Sequence, residues 1–363
     1  MKILYDHQIF SLQKYGGITR YFCELILNLP VDHHYILSLL FSDNHYLKEN
    51  SSSFKKPDIL PNKDFKGKPF IKRKIYSINK LYSQYCLSNK DFDLFHPTYY
   101  NRYFLKLLKK PYVLTIHDLI VFKHRNASEI PDFMMSQMKD VIKNANRLIA
   151  ISENTKKDLI EILNVNPDKI DVIYHGYSGI LPDNKTEDND RYILYVGRRE
   201  EYKNFRTFVQ AITPLLKREK DLQLVCAGAP FEPEEMMFLA KLGISSQTFA
   251  LTIGDDKLNK LYSNALVFVF PSLYEGFGLP ILEAFANSCP VCLSNTSCFP
   301  EIAGIAGAYF DPYDHESILS AIEKVIYDKE YAKALIREGH NRLKNYSWTK
   351  TVEETLKTYN KVR

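Results

Sequence analysis

The sequence predicts an α/β chain of two doubly wound parallel-sheet domains facing a cleft, and three observations predict it. Short apolar strands alternate with helical stretches from end to end, which is the rhythm of βαβ units. The alternation pauses over the polar stretch LPDNKTEDND (Leu181 to Asp190) and then restarts, which places a boundary near residue 185. Glycine-bearing turns follow several strands at their carboxyl ends, where open α/β sheets take up ligands.

Taken in order, the strands of the first half are KILYD, YILSLLF, DLFHP, YVLTIHD, RLIAIS and the start of IDVIYHGYS. Helices are expected from about Ile18 to Leu29 and from Thr155 onward. In the second half RYILYVG, LQLVCAG, FALTIG, LVFVFPS and CPVCLS read as strands, with helices over Lys203 to Arg218, Lys257 to Ser263 and Leu279 to Asn287. The domains are therefore expected at 1–183 and 184–346, with a final segment over 347–363.

Composition narrows the class. A chain of 363 residues with 45% hydrophobic and 25% charged residues is long enough for two full cores, and a formal charge of +5 favours no partner by itself. No run of eighteen apolar residues occurs, and MKILYDHQIF goes straight into a strand pattern, so neither a membrane-spanning helix nor a signal peptide is expected. The six cysteines are scattered, which fits reduced thiols in cytoplasm. Cys289 and Cys292 form a C-x-x-C inside a strand, where residues three apart point to opposite faces, and no second ligand pair follows. Asp91-Phe92-Asp93 is a D-x-D, but it runs directly into a strand and reads as that strand's solvated end.

Candidate functional residues gather at the glycine turns. In YEGFGLPILEAFANSCP (Tyr274 to Pro290), Gly276 and Gly278 allow positive φ and close approach to a ligand, and Pro280 suits the first turn of a helix. A strand, a glycine loop and a helix in that order present backbone N–H groups to an anion. Gly197-Arg198-Arg199, with Lys203-Asn204 near a helix start, can neutralise a diphosphate together. Tyr15-Gly16-Gly17-Ile18 is the corresponding turn of the first half, and each such turn taken alone is equally a tight strand-to-helix connection. Glu283 is placed to accept hydrogen bonds from a ribose diol, or else to stabilise a helix N-terminus, while Glu275 lies nearer to whatever the diphosphate carries. His117-Asp118 ends an apolar strand at its carboxyl end.

Together, E-x7-E in EGFGLPILE, G-R-x4-K-N in GRREEYKN, the early GGITRY, TIHD and ISENTKKDL resemble the retaining nucleotide-sugar glycosyltransferases of family 4, as does the closing YSWTKTVEETLKTYNK. The resemblance implies the GT-B fold: a Rossmann-like acceptor-binding domain, a Rossmann-like nucleotide-sugar-binding domain, and a last helix that returns to the first. It implies that Glu283 holds the ribose hydroxyls, that Glu275 contacts the transferred sugar, and that Arg198 and Lys203 neutralise the leaving diphosphate. The loop Gly276, Phe277, Gly278 and Leu279 would wrap sugar and phosphate, His117 would lie at the sugar end, and Gly17 near the diphosphate. No divalent metal is implied. The run EGFGLPILEA is similar to that of bacterial mannosyltransferases, which favours GDP-mannose as donor over UDP and dTDP sugars, and a glycan or polyprenyl-linked acceptor in surface polysaccharide synthesis. A sugar-nucleotide epimerase of the same fold and a non-catalytic nucleotide-sugar-binding subunit are the competing functions. Front-face displacement and a covalent intermediate are both open, since no residue stands out as a nucleophile.

One further stretch is distinctive. Lys63, Lys66, Lys68, Lys72, Arg73, Lys74 and Lys80 are interleaved with Phe65, Phe70, Tyr76, Tyr82 and Tyr85, a pattern that suits either an anionic membrane surface or a solvated face. No RNA-binding motif surrounds its aromatics, so nucleic acid is not an expected partner.

Overall fold

A computed structural model of the chain describes residues 1–54, 68–124, 131–177 and 191–363. The expected linker and the 183/184 boundary lie outside the described residues, as do Lys63, Phe65 and Lys66. The described chain forms two compact units, one running to Gly176 and joined by Trp348–Arg363, the other spanning Tyr177 to Ser347.

Unit 1 holds β1 (Lys2–Asp6), β2 (His34–Ser38), β3 (Leu94–His96), β4 (Val113–Ile116), β5 (Arg147–Ala150) and β6 (Ile170–Val172). They pair in parallel as β2-β1-β3 and β4-β5-β6, and a parallel bridge from Phe95 to Tyr112 links the two sets. Helix α1 (Gly17–Leu27) follows β1 after a short helical turn at Gln8–Leu12 that the sequence pattern does not announce. Helix α2 (Lys68–Asn89) is 22 residues long, whereas the sequence suggested only a basic surface stretch. The D-x-D is structural: Asp93 accepts a 2.8 Å hydrogen bond from the Lys2 amide and Asp91 pairs with the Lys2 ammonium.

Unit 2 holds β7 (Arg191–Val196), β8 (Leu222–Ala227), β9 (Thr248–Leu251), β10 (Val267–Phe270), β11 (Val291–Ser294) and β12 (Gly307–Phe310). Its six parallel strands run in the order β12-β11-β10-β7-β8-β9. Central β10 is VFVF, buried at every residue, as a strand covered by helices on both faces requires. Helix α3 (Phe205–Arg218) packs its apolar side on this sheet, but it starts two residues after the predicted Lys203. The cause is Asn204, which takes the left-handed conformation at φ 56° and separates the helix from a 3₁₀ turn over Glu201–Lys203. Helix α4 (Leu279–Ala286) follows β10, with Pro280 in its first turn. Cys289 and Cys292 are buried and outside any disulfide, each thiol against a backbone carbonyl.

The last helix, α5 (Trp348–Asn360), belongs to unit 1. Trp348, Val352, Leu356 and Tyr359 pack in the same core as Ile3, Tyr5 and Phe22.

Candidate active site

The strand order of unit 2 marks where its site lies. The chain winds from β7 out to β9 on one side and from β10 out to β12 on the other, so the crossovers diverge between neighbours β7 and β10. Ligands of open α/β sheets sit at the carboxyl ends of the strands at such a switch point. The loop after β7 carries Arg198 and Lys203, and the loop after β10 carries Glu275 to Gly278.

These loops meet through one ion pair. Lys203 Nζ lies 2.6 Å from Glu275 Oε1, and both side chains are more than four-fifths buried. The ammonium also stands over the ring of Tyr202 at 5.0 Å. The Tyr202 carbonyl accepts from the Leu273 amide at 2.8 Å, so backbone and side chain tie the two loops together. Asn204 fixes the base of this arrangement by donating from Nδ2 to the Pro312 carbonyl at 2.7 Å.

Glu275 is held from behind by a residue that spacing does not reveal. The Ser297 hydroxyl donates to the Glu275 carbonyl at 2.7 Å and accepts from the Glu275 amide at 3.1 Å. Ser297 does this from a left-handed conformation at φ 57°. Its neighbour Cys298 donates its thiol to the Phe277 carbonyl at 3.1 Å. Only Gly278 of the two loop glycines takes positive φ, at 94°, and it caps α4. A Cβ there would sit 3.0 Å from Ile281 Cδ1, so the turn needs glycine for space as well as for conformation. The amides that open α4 are thereby presented at the end of the sheet.

Glu283 lies beyond the first turn of α4, which has no acidic residue, so a role in stabilising the helix N-terminus does not apply. Its carboxylate accepts from the hydroxyl of buried Tyr262 at 3.2 Å. Arg198 is not brought to the ion pair: its side chain is 84% exposed and lies 3.2 Å from Glu200. Arg199 is committed elsewhere, with a two-pronged pair to Glu235 at 2.7 and 3.0 Å and its guanidinium against Phe231.

His117 and Gly17 belong to unit 1. The His117 amide donates to the Tyr100 hydroxyl at 3.2 Å, and its ring stacks on His175 with 5.7 Å between centroids. Burial, aided by His175 and His96, holds its pKa well below the usual value, so the imidazole is neutral. Its Nε2 is buried without a hydrogen-bond partner among the described residues. Gly17 opens α1, with Gly16 as its cap. Asp6 ends β1 as a buried carboxylate that accepts from Thr98, Gln8 and Tyr103 and so ties down the turns after β1 and β3. Beside them a cavity of about 250 Å³ is lined by Tyr99, Tyr100, Asn101, Asp118, Phe133 and Met135, among others.

Comparison with known proteins agrees with this layout. Residues 15–178 match the sequence model described as Glycosyltransferase Family 4, and residues 180–342 match that described as Glycosyl transferases group 1. The chain is 27% identical over 264 residues to an O-antigen chain mannosyltransferase B of Escherichia coli, covering 68% of this chain and 69% of that one. Sucrose-phosphate synthase from Thermosynechococcus elongatus superimposes with a TM-score of 0.76 at 18% identity, over 99% of this chain and 98% of the other. The Anabaena protein Alr3699/HepE, solved in complex with UDP and glucose, superimposes with a TM-score of 0.75 at 15% identity, over 99% of both chains. These neighbours share the GT-B fold, two α/β domains with parallel sheets.

Proposed function

From the premise that the chain is a glycosyltransferase of family 4 with a group 1 second domain, we propose that it moves a hexose, with retention, from a nucleoside diphosphate sugar to a hydroxyl of a glycan or polyprenyl-linked acceptor. The observation that carries the proposal is the Lys203–Glu275 pair at the switch point of unit 2, beside the amides that open α4. This largely buried ammonium and carboxylate neutralise each other while no ligand is present. An arriving diphosphate competes for Lys203, and the carboxylate it releases is then free to face the sugar. Breaking the sugar–phosphate bond leaves negative charge on the diphosphate. Lys203, Arg198 and the α4 amides are the groups proposed to take it up, so no metal is needed. Glu283, already accepting one hydroxyl, would accept those of the ribose. Neutral His117 suits a hydrogen bond to an uncharged sugar hydroxyl, Gly17 opens a helix whose amides suit the diphosphate, and the tyrosine-lined cavity of unit 1 suits an acceptor sugar.

GDP-mannose is the proposed donor, supported by the relative that is a mannosyltransferase of O-antigen chains. The proposed setting is the cytoplasmic face of the membrane, in bacterial surface polysaccharide synthesis. Among the described residues no helix is long and apolar enough to cross a membrane. Thermal unfolding with GDP, UDP or dTDP tests the donor: GDP should raise Tm most, and stabilisation by UDP or dTDP alone would move the assignment to that base. Donor turnover should require an acceptor and persist in EDTA. Acceptor-independent consumption would indicate the epimerase, absence of any turnover the binding subunit, and loss in EDTA a metal-dependent enzyme.

A further inference from the structure

A line of buried polar groups runs through the core of unit 1 from the last helix to the end of β4. Tyr359 of α5 is fully buried, and its hydroxyl lies 3.1 Å from that of Tyr5 on β1 and 2.6 Å from Nδ1 of His96 at the end of β3. The other ring nitrogen of His96, Nε2, lies 3.0 Å from the hydroxyl of Thr115 on β4. That hydroxyl lies 3.1 Å from the hydroxyl of Tyr21 on α1. A neutral imidazole has one donor and one acceptor nitrogen, so Tyr359 and Thr115 between them use both and fix the plane of the His96 ring.

The line ends beside His117. Thr115 precedes His117 by two residues, the spacing at which an extended chain puts side chains on one face, and Tyr21 touches both. Its hydroxyl meets Thr115, while its ring stands 5.1 Å from that of His117 at 81° and 4.9 Å from that of His175 at 77°. His175 stacks on His117, and Phe22 lies edge-on to His117 at 6.2 Å and to His96 at 5.2 Å. His117 Nε2 has no hydrogen-bond partner among the described residues, so these rings, and not a hydrogen bond at that nitrogen, hold its imidazole.

We propose that Tyr21 is a positioning residue that aims His117, and that the returning helix α5 holds it in place through Tyr359, His96 and Thr115. The inference rests on the role proposed for His117 toward a sugar hydroxyl, and it adds the groups that set the ring. Packing of α5 on unit 1 is already served by Trp348, Val352 and Leu356. Burying four hydroxyls and an imidazole beside them costs desolvation unless every group is paired, and here each one is. A fully paired line permits one arrangement of its rings, which suits a group that must meet a reacting sugar to within about 0.5 Å.

Thr115→Val breaks the line at its middle while keeping the shape of the side chain, and Thr115→Ser keeps the hydroxyl. In turnover of donor and acceptor, Thr115→Val and Tyr359→Phe should each lower kcat about tenfold, with Thr115→Ser close to the parent chain. In a His117→Ala background neither should lower kcat further, although each should lower Tm there as much as in the parent. Nitrogen NMR of the histidine side chains follows the same ring without turnover. The His117 signals, identified by their loss in His117→Ala, should move in Thr115→Val and Tyr359→Phe and return in Thr115→Ser. Should Thr115→Val fail to fold, Tyr359→Phe, which removes one oxygen and keeps the ring, carries the same comparison. Unmoved His117 signals overturn the proposal, and so does a loss of kcat as large without His117 as with it, the mark of a general loss of packing. Signals that move in a chain that turns over no donor would support the aiming of His117 and bring down the transferase reading instead, so the two failures are separately visible.

Discussion

At the scale of single residues, the two glutamates of the α4 loop should separate in kinetics. Glu283 accepts a hydroxyl now and is proposed to accept ribose hydroxyls, which are bound alike in ground and transition states. Glu283→Ala should then raise the donor KM by an amount matching about 1.5 to 3 kcal/mol, the usual loss for hydrogen bonds to a charged group, with kcat little changed. Glu275 is proposed to face the sugar as it gains positive character, so Glu275→Gln should lower kcat instead. Ser297 is expected to act only through Glu275, which its hydroxyl grips on both backbone groups. Ser297→Ala should therefore lower kcat, and the double variant with Glu275→Gln should be no slower than Glu275→Gln alone. Small, equal effects of both glutamate substitutions would reduce the site to turn and helix residues. Additive losses would show that Ser297 acts elsewhere.

At the scale of elements, the loop that enters α4 depends on one backbone conformation. Gly278→Ala places a Cβ on a residue at φ 94° and brings it against Ile281, which should cost about 1 to 2 kcal/mol of stability. It should also weaken nucleotide binding by turning the α4 amides, and calorimetric titration with GDP checks this; unchanged affinity would remove those amides from the site. This loop was legible from sequence because strand, glycine and proline each leave a local signature. The start of α3 was not, since continued periodicity hid the left-handed Asn204 that keeps Lys203 outside the helix and next to Glu275. Both loop glycines allow positive φ and only Gly278 adopts it, because composition shows which residues tolerate a conformation, not which take it. Helix α2 escaped recognition because Asn79 and Ser83 face inward among Ile75, Tyr76, Cys86 and Leu87 and break up the apolar period. Ser297 was invisible because its contact joins positions 22 residues apart through a fold that spacing does not encode.

At the scale of the molecule, unit 1 buries four histidines in neutral form, and that ties stability to pH. Burial lowers the pKa of His96 and His175 to about 3 from an ordinary value of 6.5. It drives His117 well below that ordinary value, with His175 and His96 adding to the effect, and it lowers His7 against the pull of Asp6. The unfolded chain protonates each of them as pH falls through about 6.5, while the folded chain stays neutral down to about 3 for His96 and His175. Between those limits the unfolded state binds more protons, so stability is fully present above pH 6.5 and falls with acid. Each histidine contributes about 1.4 kcal/mol per pH unit once its unfolded form is charged. Trp348 is the chain's one tryptophan and packs 6.1 Å from His175, so its fluorescence reports the unfolding of this unit. Urea midpoints followed by that signal should be level from pH 8 to 7 and drop steadily from pH 6 to 4.5. His96→Gln, if folded, should flatten the slope by one proton's worth, since it removes one group from the uptake. A midpoint that stays constant from pH 7 to 5 would mean that these imidazoles are charged in the fold, and the neutral His117 invoked for the sugar would go with them.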